Sequence, residues 1–147
     1  MLSYVMVGSN DIPRAEIFYS SFLPQLGYEL EIWKGRLIYS LPDVPDQHNG
    51  PGAFYVMPPF DGKPATVGNG SMTAFRAQTH REVNTLHAEG IAGGGRDEGA
   101  PGFREEYGNH FYVGYLRDPD GNKLAIFCTN KNEPSRDDSP LLGKRHT

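Results

Sequence analysis

Cysteine is almost missing from this 147-residue chain. Cys128 stands alone, so no internal disulfide framework can form, and the composition suits a reducing compartment. Also missing is any apolar run near the roughly 18 residues that a membrane-spanning helix needs. The opening MLSYVMVGSND has no basic stretch ahead of an apolar one, so no secretory signal is expected. Lys and Arg are scattered through a chain of net charge −4, which leaves no basic patch for a nucleic acid. The expectation is a cytoplasmic protein with neither a nucleic acid nor a membrane as partner. What the chain has in excess is turn formers: 18 glycines and 12 prolines exclude a helical bundle or coiled coil and favour short strands. Hydrophobic residues at 37% and aromatics at 12% supply the core of one domain.

Periodicity divides the chain into two similar halves. Residues 2–8 alternate as a strand, with Val5 and Val7 on one face and Tyr4 and Met6 on the other. Asp11 can cap a helix that tolerates Pro13 in its first turn and places Ala15, Phe18, Tyr19 and Phe22 on one face. Pro24 stops it and Gly27 turns the chain. A strand over 28–33, a two-residue Lys34-Gly35 turn and a strand over 36–40 form a hairpin. A Pro/Gly loop (41–52), a strand (53–57) and a linker (58–70) complete the first half.

The pattern then restarts with a strand over 72–77. Thr79 and Glu82 form a capping box, and Val83, Leu86, His87 and Ile91 make a helical stripe that ends at Gly93-Gly94-Gly95. Residues 96–103 read as a glycine-rich loop. A strand over 111–117, the turn Asp118-Pro119-Asp120-Gly121 and a strand over 123–129 follow, and 130–147 reads as a polar, frayed tail. Placing Tyr4 on Met72 also places Asp11 on Thr79, both helix caps, which gives an internal repeat of roughly 68 residues. The domain so defined spans 1–129, with modules 1–58 and 71–129 joined by the linker.

Three segments carry a resemblance: SNDIPRAEIFYSSFLPQLGY (9–28), THREVNTLHAEGIAGGGRDEGAPGFR (79–104) and FYVGYLRDPDGNKLAIFC (111–128). In this order they resemble the vicinal oxygen chelate superfamily of glyoxalase, bleomycin-resistance and extradiol-dioxygenase proteins. The resemblance implies an α+β fold of two βαβββ modules whose curled mixed sheets form one open cleft for a small molecule. It also implies a homodimer.

In the enzymes of that superfamily the resemblance implies a divalent metal held by His on the first strand, His on the first strand of module two, and Glu on the last strand. Carried over, these positions are Tyr4, Met72 and Ala125. All three depart from the pattern, so no metal and no other cofactor is expected.

Alternation gives the residues facing the cleft. Tyr4 and Met6 come from the first strand, Met72, Ala74 and Arg76 from the matching strand, and Ala125 and Phe127 from the last, with Lys123 at its end. The register of 111–117 depends on the turn: a bulged turn at Gly121, the favoured one, pairs Leu116 with Leu124 and adds Phe111, Val113 and Tyr115, whereas a two-residue turn would present Tyr112, Gly114 and Leu116. Glu31 and Trp33 join from module one, opposite Ile38 and Arg36. The expected ligand-binding wall is therefore Tyr4, Met6, Met72, Ala74, Arg76, Tyr115, Ala125 and Phe127, an apolar surface for a planar or amphipathic small molecule, with Arg76 able to hold an anionic group.

Other polar groups carry less. His80 and His87 share a helix away from the cleft, and His48 and His146 have no partner at ligand spacing. Asp97/Glu98 and Glu105/Glu106 read as solvated charge. The 98–102 backbone could contact an anion or act as a lid, and Cys128 reads as a buried small hydrophobe. Tyr4 and His110 are the candidates for acid–base work. Three functions stay open: a metal-free small-molecule binder, an enzyme of the superfamily with a shifted metal or with Tyr4 and His110 as catalysts, and an interaction protein with a filled cleft.

Overall fold

The computed structural model describes residues 1–138. Its elements are β1 (Tyr4–Gly8), α1 (Ile12–Tyr19), a 3-10 turn (Leu23–Leu26), β2 (Glu29–Trp33), β3 (Arg36–Ser40) and β4 (Ala53–Met57). A second set follows: β5 (Thr73–Arg76), α2 (His80–Ala92), β6 (Arg96–Phe103), β7 (Tyr112–Arg117) and β8 (Lys123–Cys128). Two four-stranded mixed sheets result, ordered β1-β4-β3-β2 and β5-β8-β7-β6, so the repeat expected from spacing is a repeat of topology. This is the α+β fold of two βαβββ modules. No helix among the described residues is long and apolar enough to cross a membrane.

Equivalent positions do equivalent work. The Asp11 carboxylate accepts from the Arg14 N–H at 3.0 Å, and the Thr79 hydroxyl accepts from the Glu82 N–H at 3.0 Å. The Glu82 carboxylate reaches back to the N–H of Gln78 at 2.9 Å, one residue before the cap, so the box is wider than the sequence pattern implies. In the first hairpin Lys34 (φ 50°) and Gly35 (φ 74°) join Trp33 to Arg36 as a two-residue turn. In the second, Gly121 (φ 94°) turns the chain so that Leu116 pairs with Leu124, the bulged register expected.

Three expectations are corrected. Residues 96–103 are a strand, not a loop: β6 is an edge strand paired with β7, with register shifts between Asp97 and Gly99 and between Gly99 and Gly102. Its glycines and proline sit at these irregularities and at an edge, where a missing side chain or N–H costs little. On α2, Ile91 is exposed and Gly90 is buried in its place. A Cβ on Gly90 would meet Leu116 Cδ1 at 2.7 Å and Phe18 Cε1 at 3.6 Å, so close approach sets that face. Finally, residues 130–138 are docked, not frayed. Arg136 donates to the carbonyls of Arg104, Glu105 and Tyr107, and its own N–H bonds Asn109 O at 2.8 Å. The rest of the expected tail, 139–147, lies outside the described residues.

One core serves both modules. Phe18, Tyr19 and Phe22 of α1, Phe54 of β4, Phe75 of β5, Leu86 of α2, Leu116 of β7 and Ile126 of β8 are buried together. Phe75 sits edge-on to Phe22, Tyr28 and Phe54 of the other module, with centroids 5.2–6.0 Å apart. A polar seam runs beside it. Buried Asp118 accepts from Tyr19 Oη at 2.5 Å and from Asn122 Nδ2 at 2.9 Å, while the same Asn122 amide donates to Gly8 O and Asp120 accepts from Ser9. The β7–β8 turn of module two is thereby fastened to the β1–α1 corner of module one. Cys128 is fully buried in the core and burial pushes its thiol pKa up, as befits a small hydrophobe and not a nucleophile.

Candidate functional site

With the core on the helix side, the opposite face of each sheet is left to solvent. Alternation places Tyr4, Met6, Trp33 and Met72 there, and each is about half exposed. Ladder register turns these faces into rows. In module one, Glu31 pairs with Ile38, Ile38 with Tyr55, and Tyr55 with Met6. In module two, Gly99 pairs with Tyr115, Tyr115 with Ala125, and Ala125 with Ala74. The expected pairs Glu31–Ile38, Trp33–Arg36 and Leu116–Leu124 are all present.

Module one's face holds a groove of about 480 Å³ lined by Glu31, Trp33, Arg36, Ile38, His48, Asn49, Tyr55 and Met57. One wall is the 46–49 loop, fastened by side chains. His48 Nε2 lies 3.0 Å from Glu31 Oε2, Gln47 donates to Glu29 at 3.0 Å, and the Tyr55 hydroxyl donates to the His48 carbonyl. Tyr55 stacks on Tyr4 with centroids 4.8 Å apart and planes 8° from parallel. Burial, then Tyr4, raise the Tyr55 pKa, keeping that phenol a donor. Trp33 has both Lys34 Nζ and Arg36 Cζ 5.0 Å from its ring.

Module two's face holds a groove of about 370 Å³ lined by Asn69, Gly70, Ser71, Met72, Tyr107, Tyr115, Arg117 and Lys123. Lys123 Nζ lies 5.0 Å and Arg104 Cζ 5.6 Å from the Tyr115 ring. Burial, then Tyr107, raise the Tyr115 pKa. Between the modules, Leu2, Val5, Tyr28, Met72, Ala74 and Phe75 are among the residues lining a further cavity of about 280 Å³.

The expected wall is thus divided. Tyr4 and Met6 lie on module one's face, while Ala74, Tyr115, Ala125 and Phe127 lie on module two's. Ala125 is only 2% exposed beneath its neighbours, and Phe127 stacks on Phe111 at 5.5 Å. Arg76 is held by Thr129 at 2.7 Å and lies over Phe127 at 4.7 Å, so it lines none of these three cavities.

The acid–base candidates are not brought together. Tyr4 sits against Tyr55 in module one, whereas His110 sits in module two near His80 and Asp138, its Nδ1 buried without a partner. His80 and His87 also part company. His80 stacks on Tyr112 at 4.1 Å, while His87 is buried with Nε2 3.0 Å from Tyr115 O and 3.2 Å from Asp97. Asp97 and Glu98 are therefore paired and not simply solvated, Glu98 reaching Arg117 at 3.3 Å. The 98–102 segment, being strand, is no lid.

Sequence reasoning missed Tyr55, Tyr107 and the Glu31–His48 pair. Tyr55 was open to alternation, because Phe54 and Val56 flank it on the core face. His48 was not, because nothing in a Pro/Gly loop says where it folds back.

A metal does not fit the residues at the superfamily's ligand positions. Tyr4 is engaged in stacking, Met72 offers a soft thioether, and Ala125 offers no donor. Among the described residues no three His, Cys, Asp or Glu side chains converge where they could hold an ion.

No family model matches the chain, and no curated protein does. Solved structures do. A glyoxalase/bleomycin resistance protein from Albidiferax ferrireducens T118 is 41% identical with a TM-score of 0.73, the match covering 86% of this chain and 96% of that one. A glyoxalase/bleomycin resistance protein/dioxygenase family enzyme from Burkholderia phytofirmans PsJN is 21% identical, with a TM-score of 0.63 and coverage of 87% and 98%. A lactoylglutathione lyase from Agrobacterium tumefaciens is 19% identical, with a TM-score of 0.56 and coverage of 87% and 92%. The last two likenesses are of fold alone.

Proposed function

The chain belongs to the glyoxalase/bleomycin resistance family of the vicinal oxygen chelate superfamily, and from that premise we propose that it binds a small, flat, largely apolar molecule on its outer sheet faces without the superfamily's metal. The observation that carries this reading is the half-exposure of Tyr4 (53%), Met6 (50%), Trp33 (50%) and Met72 (49%) on faces turned away from the core. Trp33 and Met72 line the grooves and Tyr4 and Met6 lie on the same faces beside them, and large apolar side chains left exposed in this way are a surface waiting for a partner. Aromatic rings and methionines suit a planar ligand, the rings by stacking and the thioethers by adapting. The donor set argues against the metal: a phenol in a stack, a thioether and a methyl group replace two imidazoles and a carboxylate. A homodimer that covers part of these faces belongs to the same proposal.

The test is a melting-temperature screen with a panel of aromatic and heteroaromatic compounds, run beside additions of Ni, Zn, Mn and Fe(II). A compound present at about 100 times its dissociation constant should stabilise the protein by about 2.7 kcal/mol. Tyr4→Ala should weaken that compound, and the metals should leave the melting temperature unchanged. A panel without a single stabilising compound overturns the binding reading. A metal that binds stoichiometrically and raises the melting temperature overturns the metal-free part.

A further inference from the structure

Both outer faces carry cations that enter no ion pair among the described residues, Lys34 and Arg36 over Trp33 in module one and Lys123 and Arg104 over Tyr115 in module two. In module one the carboxylates are answered: Glu31 pairs with His48 and Glu29 accepts from Gln47. Among the described residues Lys123 enters no ion pair, and neither does Arg104, whose guanidinium donates only to the carbonyls of Ala100 and Phe103. Both cations lie over the same ring, Tyr115, and Lys123 also lines the groove of about 370 Å³. Arg117, the other cation lining that groove, is occupied by Glu98 and by the carbonyl of Gly121. The Ser71 and Tyr107 hydroxyls and the Asn69 amide line the same space and can add hydrogen bonds to an anion's oxygens.

We infer that this groove binds the anionic group, carboxylate or phosphate, of a flat small molecule: Lys123 Nζ meets the anion and the body of the molecule lies along Tyr115 and Met72. The inference deepens the small-molecule reading and rests on it. It also moves the anion from Arg76, where alternation alone put it, to Lys123, because Arg76 is held by Thr129 over Phe127. An ammonium–anion contact is a charge-assisted hydrogen bond, strongest at low ionic strength and weakened by salt.

The experiment is a heteronuclear NMR titration of the full chain with benzoate, phenyl phosphate, inorganic phosphate and neutral benzyl alcohol, for wild type, Lys123→Met, Lys123→Arg and Arg76→Met. Melting scans confirm that each variant is folded. The expected result is that benzoate or phenyl phosphate binds about tenfold more tightly than benzyl alcohol, with shifts at Ser71, Tyr107 and Tyr115. The ratio of benzoate to phenyl phosphate affinity tells carboxylate from phosphate, and inorganic phosphate tells whether the anion binds without the ring. Lys123→Met should abolish the preference and leave benzyl alcohol binding unchanged, while Lys123→Arg and Arg76→Met should keep it. Equal affinity for anionic and neutral probes overturns the inference, as does a preference that survives Lys123→Met, and in both cases the small-molecule reading stands. Failure of all four probes up to millimolar concentration also overturns it, and the broader compound panel then decides the small-molecule reading separately.

Discussion

The two modules share a topology and differ in what their outer rows are made of. Across module one the central row is Glu31, Ile38, Tyr55 and Met6, bulky at every position. Across module two the matching row is Gly99, Tyr115, Ala125 and Ala74, a single ring among the smallest side chains. The first face is built up by its own side chains and walled by a loop. The second carries one ring on a row of small side chains, and its cations lie over that tyrosine as those of the first lie over Trp33. The core faces stay mostly apolar, because both modules must fill one interior, although Gly114 stands where module one has Leu37 and makes room for His87. Repetition therefore constrains the buried half of each strand and leaves the other half free to diverge, and that is where the chemistry of the two halves separates.

The sharpest way to break this distinction is through the shared core. Phe75 belongs to module two but rests on three aromatic rings of module one. Phe75→Ala should cost about 3–5 kcal/mol, seen as one cooperative unfolding transition shifted to lower denaturant. Two separated transitions would show that the modules are independent bodies.

Next in size is the seam. Tyr19→Phe removes the hydroxyl that Asp118 accepts from and should cost about 1.5–3 kcal/mol, the range for a hydrogen bond to a charged group. Burial, then the charge of Asp118, hold the Tyr19 pKa well above 10.0. The folded state keeps that proton where the unfolded chain loses it, so the associated stability is complete below about pH 10 and is lost as pH rises further. Denaturation followed from pH 8 to 12 should therefore be less steep above pH 10 in Tyr19→Phe than in wild type. Tyr39, pushed by burial to about 12, retains its own share of the slope in both proteins. Parallel curves would remove Tyr19 from the account.

How far all this was legible in the sequence depends on which physical signal each part carries. The first hairpin was readable through Lys34-Gly35, and the second through Gly121, because a left-handed residue fixes register and register fixes which face every neighbour takes. β6 was not readable: its glycines and proline signal a loop, and only pairing with β7 makes RDEGAPGF a strand. The docking of 130–138 escaped for a similar reason, since Arg136 finds its carbonyls on a distant loop. For the site, alternation gives the side of the sheet that Tyr4, Met6, Ala74, Tyr115, Ala125 and Phe127 take, and it does not say that they divide between two faces. It could not say that Arg76 would be captured by Thr129 or that His110 would lie beside His80, because both depend on side-chain direction at the end of an element.

The turns allow a finer comparison with one substitution made twice. Gly35→Ala forces a Cβ onto a residue at φ 74° with nothing within 4 Å of it, so only the left-handed strain of about 1 kcal/mol is expected. Gly121→Ala meets the same strain at φ 94° and also places the Cβ 2.6 Å from Val67 Cγ1, in the linker. Its cost should be about 2 kcal/mol, measured by chemical denaturation. Equal costs would mean that the linker yields without penalty and does not buttress the second turn.

The smallest effect concerns the wall of module one. Glu31 and His48 are each about half exposed, so their side-chain contact should contribute no more than about 1 kcal/mol. The wall has further ties in Gln47–Glu29 and in the Tyr55 hydroxyl on the His48 carbonyl. Glu31→Gln should therefore change global stability by less than about 0.5 kcal/mol and act locally, speeding amide exchange at residues 46–49 while β3 and β4 exchange as before. A double-mutant cycle with His48→Ala isolates the pair, and its coupling should also fall below about 1 kcal/mol. Unchanged exchange at 46–49 would mean that the tyrosine and glutamine contacts alone position the loop. The groove of module one would then be preformed, and the two faces would differ in composition but not in how firmly they are built.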